Sequence, residues 1–500
     1  MAVSVSAPTS IIMEEYRARW EPQGWQLIII GPTSTWRQEW GEWEAIRDIV
    51  QNALDEAESY QWGYDDNGLW IADRGRGIAV ADFLLGPPKL KSDFARGKYG
   101  EGMKLAALAL VRKGHPVRIE TSDKEIRLAF LRVGLDAGRE AEQLAALWRT
   151  APARQGTRFQ IIGYTGSAYQ DRFAVNLSRK AELASGPSKL TQPVRRFNQL
   201  LDPELTGGPR IYARDIYMRD IDSPFSYNLW GFDMAPDRHG AKDERQMWLD
   251  MGRLWSCATR VKLVEMLLQM VREPPAVKCE EAHSLNMNTW DMGVEPVSNK
   301  PYSEFIKENA SVWREAWVNN FGSNAVIRSS DRWDGTVKHL GYLSVGVSWQ
   351  VRDALALAIT TDVDLIKASQ ERLREVAAVP EDRLSVKQRT HLRLARAIAE
   401  EVAHYRKVAG VHAAIIPPAS DRVRTAGLYS RTTEEVFIAT DQLERGRSAV
   451  DTVIHEMAHH VSGAEDLEER HAEEMTRIAA RVVEATSLGK FDALMKEASW

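Results

Sequence analysis

Residues 44–104 constrain the fold more than any other part of this 500-residue sequence, because they hold three patterned pieces in order. Around the first piece, residues 48–57, apolar side chains recur at the spacing of one helix face. Asp48, Asn52 and Asp55 fall on another face of the same predicted helix, at i, i+4 and i+7. Such a polar stripe is most often a solvated surface, but its members can also converge on one target.

The second and third pieces place glycines where the chain is expected to turn. Residues 71–78 continue a short apolar run and then present Asp73 and two glycines, which predicts a strand that ends in a turn. Residues 97–107 form a glycine-rich segment that opens a helix, an arrangement that directs backbone N–H groups at a phosphate. Each piece alone is a weak signal, so the inference depends on their order and spacing.

Taken together, these pieces resemble the motifs of the GHKL, or Bergerat-fold, ATPases, a family that includes gyrase, MutL, sensor histidine kinases, MORC proteins and the ninety-kilodalton heat-shock chaperones. Residues 48–57 (DIVQNALDEA) match the N-box, residues 73–77 (DRGRG) the first glycine box and residues 97–102 (GKYGEG) the second. Gly156 and Thr157 precede an alternating run where the family places its last adenine-side strand. The resemblance covers about the first third of the chain.

The resemblance implies ATP as a ligand and assigns roles on the adenine side. Asp73 would accept a hydrogen bond from the adenine amino group, and Thr157 would support that contact. Gly75 and Gly77 would let the backbone pass close under the base.

On the phosphate side, the resemblance implies that Asn52 holds the Mg²⁺ that bridges the phosphates. Gly100 and Gly102 would place N–H groups against the β and γ phosphates. Lys98 is a candidate for an additional phosphate contact, with a solvated lysine as the equal alternative.

Asp48 departs from the family pattern, which usually has Glu at the position whose carboxylate activates the attacking water. Asp is one methylene shorter, and general-base catalysis depends on reach before it depends on pKa. Slow hydrolysis, or binding with little hydrolysis as in a regulatory sensor, is therefore compatible with the sequence.

A second chemical motif lies near the far end, in the helix-patterned segment around residues 453–461. His455 and His459 stand at i and i+4, so their imidazoles project side by side in the arrangement that binds Zn²⁺. Glu456 can then reach the metal-bound water as general base. His460 points away from this face and is interpreted as structural.

With two predicted strands before it and Gly463 after it as a left-handed C-cap, this segment resembles a zincin metallopeptidase over about the last ninety residues. Asp466, just past the turn, is the first choice for the third zinc ligand. His471 and Glu473, on the following predicted helix, are the alternatives.

Composition limits the other possibilities. No apolar run approaches the roughly 20 residues of a membrane span, and the first residues lack the pattern of a signal peptide. Only Cys257 and Cys279 are present, which argues against a disulfide framework and favours a reducing cytoplasm. A net charge of −5 gives no general attraction to nucleic acid, although local basic patches are compatible with it.

The predicted fold class is mixed α/β (α+β), in four parts. Residues 1–165 are expected to form a Bergerat-type α/β sandwich and residues 166–272 a transducer-like α/β connecting domain. Residues 273–409 read as a mixed, partly helical linker region, and residues 410–500 as a mostly helical zincin-like domain. Within the first part, residues 116–121 and 125–133 alternate at period two and predict two mutually paired strands. Residues 140–147 are patterned as a helix.

The sequence therefore predicts a protein that binds and hydrolyses ATP and cleaves a protein or peptide substrate with zinc, with nucleotide gating the proteolysis. A nucleotide-dependent homodimer is compatible with it, because ATP-bound lids in the GHKL family often bring two protomers together. The alternative is a chaperone-like or MORC-like ATP-driven clamp, including DNA handling in the manner of gyrase or MutL. Its zinc site would be structural or inactive.

Overall fold

A computed structural model describes most of the chain as two compact units. The first is built mainly from Met1–Ala258 and the second mainly from Ser303–Trp500, and each is described by itself below. The division into four parts stays a prediction. The structure describes residues 8–57, 59–83, 102–134, 139–187, 197–235, 240–277, 279–281, 293–295, 298–403, 406–466 and 468–500.

In the described part of the first unit, six strands form one sheet. They are β1 (Ser10–Ile12), β2 (Gln26–Thr33), β3 (Gln61–Asp65), β4 (Gly68–Ala72), β5 (Val117–Gly134) and β6 (Glu140–Ile162). The strand order is β1-β5-β6-β4-β3, and β2 pairs with β6. β1 runs parallel to β5, while the other pairs are antiparallel.

Helices α2 (Glu42–Ala57) and α3 (Gly102–Arg112) cover one face of this sheet and close its core. A short helix, α1 (Met13–Glu15), follows β1. The apolar stripe of α2, which includes Ile46 and Val50, is buried together with Leu105 and Leu108 of α3 and with Ile161 of β6. This layer of helices on a sheet confirms the predicted mixed α/β class.

Two predictions for this region were wrong. Residues 116–121 and 125–133 do not pair with each other, because they belong to the single strand β5, which pairs along its length with β6. Residues 140–147 form the first part of β6 and not a helix. They are good helix formers, but β5 lies on one edge and β2 on the other, and this pairing on both edges outweighs local propensity.

The rest of the described first unit holds a second sheet. Its strands are β7 (Glu182–Pro187), β8 (Phe197–Leu201), β9 (Arg210–Ala213), β10 (Ile216–Asp220) and β11 (Ser226–Leu229), in the order β10-β9-β11-β8-β7. The helices are α4 (Pro203–Thr206) and α5 (Glu244–Ser256), and β12 (Val294–Glu295) pairs with β13 (Lys300–Pro301).

The second unit is mainly helical around a small sheet. Its strands are β14 (Ala325–Ile327), β15 (Leu343–Val345), β16 (Ala377–Ala378), β17 (Gly410–Ile415), β18 (Gly427–Ser430) and β19 (Glu435–Ala439). The described helices from Val261 onward are α6 (Val261–Val271), α7 (Tyr302–Glu308), α8 (Ala310–Phe321), α9 (Asp334–His339), α10 (Trp349–Leu355), α11 (Asp362–Leu373), α12 (Val386–Val402), α13 (Gly446–Ser462), α14 (Glu469–Ser487) and α15 (Asp492–Glu497).

The sheet β16-β17-β19-β18 packs against α12, α13 and α14 in one hydrophobic core. β18 is one of the two edge strands of this sheet and lies beside α13. Gly463 ends α13 in the left-handed conformation at φ 66°, so the predicted C-cap is confirmed.

None of the helices in the described ranges combines the length and the apolar character that crossing a membrane requires.

Candidate functional site

Asp73 lies just after β4, and its hydrogen bonds connect the first glycine box to strand β6. Its backbone N–H donates to the Thr157 carbonyl at 2.9 Å, and its Oδ1 accepts from the N–H groups of Gly75 at 2.8 Å and Thr157 at 3.3 Å. Within the described residues, Oδ2 accepts no hydrogen bond. Burial raises the pKa of Asp73, and the two backbone hydrogen bonds oppose that rise. The carboxyl group thus keeps one oxygen available to a ligand.

The second glycine of this box, Gly77, lies beside Thr121, which the sequence did not single out and which contacts the predicted Thr157. The Thr121 hydroxyl accepts a hydrogen bond from the Ile78 N–H at 2.7 Å and lies 3.3 Å from the Thr157 hydroxyl. Thr121 and Thr157 are both buried. The structure therefore brings Asp73, Gly77 and Thr157 together and adds Thr121 as the residue that holds the loop.

Asp48 belongs to α2, and its carboxylate lies against the start of helix α3, at the other end of the predicted nucleotide site. A Cβ added at Gly102 would lie 1.9 Å from Asp48 Oδ2, so the carboxylate directly abuts the helix N-terminus, where negative charge is favoured. Its Oδ1 pairs with the buried Arg47 guanidinium, with an Nε–Oδ1 distance of 3.2 Å. Only a glycine at position 102 permits this approach.

Asn52 lies one turn after Asp48 and donates its side-chain N–H to the Asp48 carbonyl at 2.8 Å. The side-chain oxygen of Asn52 is not used in this hydrogen bond, and it is a hard ligand of the kind that Mg²⁺ accepts. Lys98 and Gly100 lie outside the described residues. For ATP and Mg²⁺, the residues in place fit, since Asp73 offers an acceptor to the adenine amino group and Asn52 offers an oxygen to the cation.

The best-defined cluster of metal-ligating side chains in the described residues lies in the second unit. It comprises His455 and His459 on α13, Asp466 in the following turn and His471 on α14. One ligand atom from each lies within 4.8 Å of the others. His455 Nε2 and His459 Nε2 both point at Asp466 Oδ1, at 2.8 and 2.9 Å. The predicted histidine pair therefore converges with the first-choice third ligand.

Hydrogen bonds around these histidines set which ring nitrogens face the cluster. His459 Nδ1 lies 2.9 Å from the Ala464 carbonyl, so Nδ1 carries the proton and Nε2 is the nitrogen that faces a metal. Hydrogen bonding to Asp466 raises the pKa of His455. Burial lowers the pKa of His459, but its hydrogen bonds to Asp466 and Ala464 outweigh burial and raise it to about 9. Hydrogen bonds with His455 and His459 hold the pKa of Asp466 well below its usual range.

Such a set of donors fits a zinc ion. Three nitrogen and oxygen ligands on a helix and the turn after it match the coordination that zinc takes in proteins, and a metal would displace the protons that the histidines share with Asp466.

Glu456 is buried against the edge strand, next in sequence to His455. Burial raises its pKa to about 7, although the charges of His455 and His459 oppose the rise. Strand β18 passes very close to it: a Cβ added at Gly427 would lie 2.7 Å from Glu456 Oε1 and 2.5 Å from Thr452 Cγ2. Gly427 is a second residue whose role the sequence did not reveal.

The alternatives for the third ligand differ in their surroundings. Glu473 is not part of the cluster and pairs with Arg477 at 3.6 Å on the surface. His471 is part of it, but its ring stacks on that of His459, with centroids 4.1 Å apart and planes 25° apart. Nitrogen lone pairs lie in the ring plane, so the His471 ring would have to turn before its nitrogen could join His459 on one ion. This geometry favours Asp466 as the third ligand.

Two further histidines surround the cluster. His460 is buried, with ring nitrogens 3.0 Å from the Tyr429 hydroxyl and 2.8 Å from the Arg406 carbonyl, which is the structural role predicted for it. His339, at the end of α9, places Nε2 3.3 Å from Asp466 Oδ2. No sequence pattern indicated this contact.

Comparison with known proteins identifies no family: no protein-family model matches the chain, and a search of curated proteins found no match. The functional interpretation therefore rests on the site geometry and on the motifs.

Proposed function

We propose that the second unit is a zinc metallopeptidase and that the first unit binds Mg·ATP. The observation that carries the proposal is the convergence of His455 Nε2 and His459 Nε2 on Asp466 Oδ1, within 2.9 Å, beside the buried Glu456.

Each side chain has a role in peptide hydrolysis. His455, His459 and Asp466 would hold the ion, which when bound polarises the scissile carbonyl and makes water a better nucleophile. Glu456 accepts the proton of the attacking water and returns it to the leaving amine. The edge strand β18 fixes the Glu456 side chain from one side, through the close approach of Gly427. The substrate is a protein or a peptide.

In the first unit, Asp73 selects adenine and Asn52 holds the magnesium ion. Asp48 is the candidate general base, but its carboxylate is short and is engaged by Arg47. We therefore expect slow ATP turnover. Phosphate release by the wild type and by Asp48→Ala tests this point, since equal release by the two proteins means that Asp48 does not support hydrolysis.

We further propose that nucleotide binding gates proteolysis, through a nucleotide-dependent homodimer. The support for this coupling is that both sites belong to one chain. Cleavage rates of a protein substrate with Mg·ATP, with Mg·ADP and without nucleotide provide the test, and equal rates rule the coupling out. We place this activity in a reducing cytoplasm, where Cys257 and Cys279 would stay thiols.

The decisive experiment is metal analysis combined with Mg·ATP titration of the purified full chain. We expect one zinc per wild-type chain, loss of that zinc in His455→Ala, and unchanged ATP binding in the same variant. His412→Ala is a matched control, because His412 also contacts a carboxylate, Glu435, at 3.2 Å but lies outside the cluster. Glu456→Gln should keep zinc and lose peptide cleavage. A wild-type protein without zinc contradicts the proposal.

His471 supports a second candidate function, an ATP-driven clamp in which zinc is structural. Four protein ligands close the coordination of zinc, whereas a catalytic site keeps a position open. His471→Ala separates the two candidates: a catalytic site keeps its cleavage activity and most of its zinc affinity, while a closed site loses affinity and shows no cleavage in either form. A salt-dependent gel shift would test whether such a clamp handles DNA.

A further inference from the structure

We propose that His339 is a positioning residue, which holds the Asp466 carboxylate in the orientation that presents Oδ1 to His455 and His459. This inference rests on the proposed zinc site.

The two oxygens of Asp466 have separate partners. Oδ1 lies 2.8 Å from His455 Nε2 and 2.9 Å from His459 Nε2, on the side where a metal would bind. Oδ2 lies 3.3 Å from His339 Nε2, on the other side. A carboxylate turns readily about its terminal bond. The contact between the His339 ring and Oδ2 therefore restrains Oδ1 as well.

Asp466 needs such a restraint because it lies in a turn. It belongs to the connection between Ser462, the last residue of α13, and Glu469, the first residue of α14. Its side chain is 31% exposed, so packing alone does not fix its rotamer. The histidines on α13 are held by their helix, whereas the carboxylate is the least constrained of the three ligands.

His339 is held firmly enough to supply the restraint. It ends α9, and its neighbours Val337 and Leu340 are buried in a small core. The buried Ser420 hydroxyl donates to the Leu340 carbonyl at 2.7 Å, which fixes the backbone immediately after the histidine. The His339 side chain itself is 46% exposed, so replacing it removes little packing.

An ordinary surface ion pair would have a different signature. Exposed pairs contribute little to folding and have no reason to change metal affinity. A partner that orients a metal ligand changes metal affinity by about 10–100-fold. Metal affinity therefore separates the two roles, without any measurement of catalysis.

The test is competition for zinc between a chromophoric chelator and the full-length chain. We expect His339→Ala to weaken zinc binding by about 10–100-fold, the range for loss of such a partner. His339→Gln, whose side-chain amide can donate to the same oxygen, should recover most of the affinity. His412→Ala should leave it unchanged, because that histidine pairs with a carboxylate outside the cluster.

A double-mutant cycle shows whether His339 acts through Asp466. Once Asp466 is replaced by Ala, His339→Ala should have no further effect on zinc affinity. Equal affinities of wild type and His339→Ala overturn this inference alone. A wild-type chain that takes up no zinc overturns the proposed function, and this inference with it.

Discussion

Because β18 lies so close to α13, adding a single methyl group at Gly427 should disturb both stability and cleavage. In Gly427→Ala, the new methyl group would lie 2.5 Å from Thr452 Cγ2, 2.7 Å from Glu456 Oε1 and 2.8 Å from Glu456 Cγ. Carbon atoms in ordinary contact are about 3.5–4.0 Å apart, so the side chains of α13 must retreat by roughly 1 Å. Both Thr452 and Glu456 are buried and have little room for that movement.

The expected cost in folding free energy is about 1–3 kcal/mol, the range for overpacking a filled core. If Glu456 is the general base, a displacement of this size should also lower the cleavage rate by about 100-fold. Zinc content should stay the same, because the atoms in conflict belong to Thr452 and Glu456 and not to the ligands.

Urea unfolding of the full chain measures the first effect, and peptide cleavage with zinc analysis measures the second. Thr452→Ser removes Cγ2, the closest of the three atoms, so Gly427→Ala/Thr452→Ser should recover part of the lost stability. Gly446→Ala is the matched control, because a Cβ there meets its neighbours at 3.4–3.5 Å, which is ordinary contact. Unfolding free energy and cleavage rate unchanged in Gly427→Ala would refute the reasoning.

Three further predictions follow from the first unit. Asp73→Asn should weaken ATP binding by about 10–100-fold, since a hydrogen bond to a charged group contributes about 1.5–3 kcal/mol; calorimetric titration measures this. Thr121→Val should lower the unfolding free energy in urea by about 1–3 kcal/mol, because it leaves the Ile78 N–H without its acceptor. Burial raises the pKa of Glu281 although Ser223 and Tyr227 donate to it, so the folded state binds this proton more tightly than the unfolded state. The contribution of Glu281 to the free energy of unfolding is therefore lost as the pH rises from the ordinary pKa of glutamate through the raised pKa. In urea unfolding, Glu281→Gln should be more stable than wild type at pH 8 but not at pH 4.

Each of these predictions has a control. Asp73→Asn puts an amide nitrogen where the free oxygen stood, so GTP binding should fall less than ATP binding; an equal loss for both contradicts the base contact. Thr121→Ser keeps the hydroxyl and should remain close to wild type. A stability difference between Glu281→Gln and wild type that is the same at both pH values contradicts the raised pKa.

Local patterns were sufficient for the elements that carry the sites. The helical spacing around Val50 predicted α2, because its apolar stripe faces the sheet. Gly463 predicted the end of α13, since its left-handed backbone is a conformation that glycine adopts easily. The i, i+4 spacing of His455 and His459 placed two imidazoles side by side.

Contacts between distant segments could not be predicted in the same way. Residues 140–147 contain good helix formers, and only the neighbouring strands β2 and β5 make them extended. Thr121 reaches the first glycine box because β5 and β6 bring it next to Thr157, and His339 reaches Asp466 through the packing of α9. No short window of sequence encodes these contacts, because they depend on the completed tertiary structure.

Helix α2 contacts one described residue of each predicted glycine box. Gly75 lies against Glu56 near the end of the helix, and Gly102 lies against Asp48 nearer its start. Between positions 48 and 56 an α-helix rises about 12 Å, a distance fixed by its backbone hydrogen bonds. The helix backbone therefore sets the span between these two contacts, and a molecule that bridges them would have to match that length.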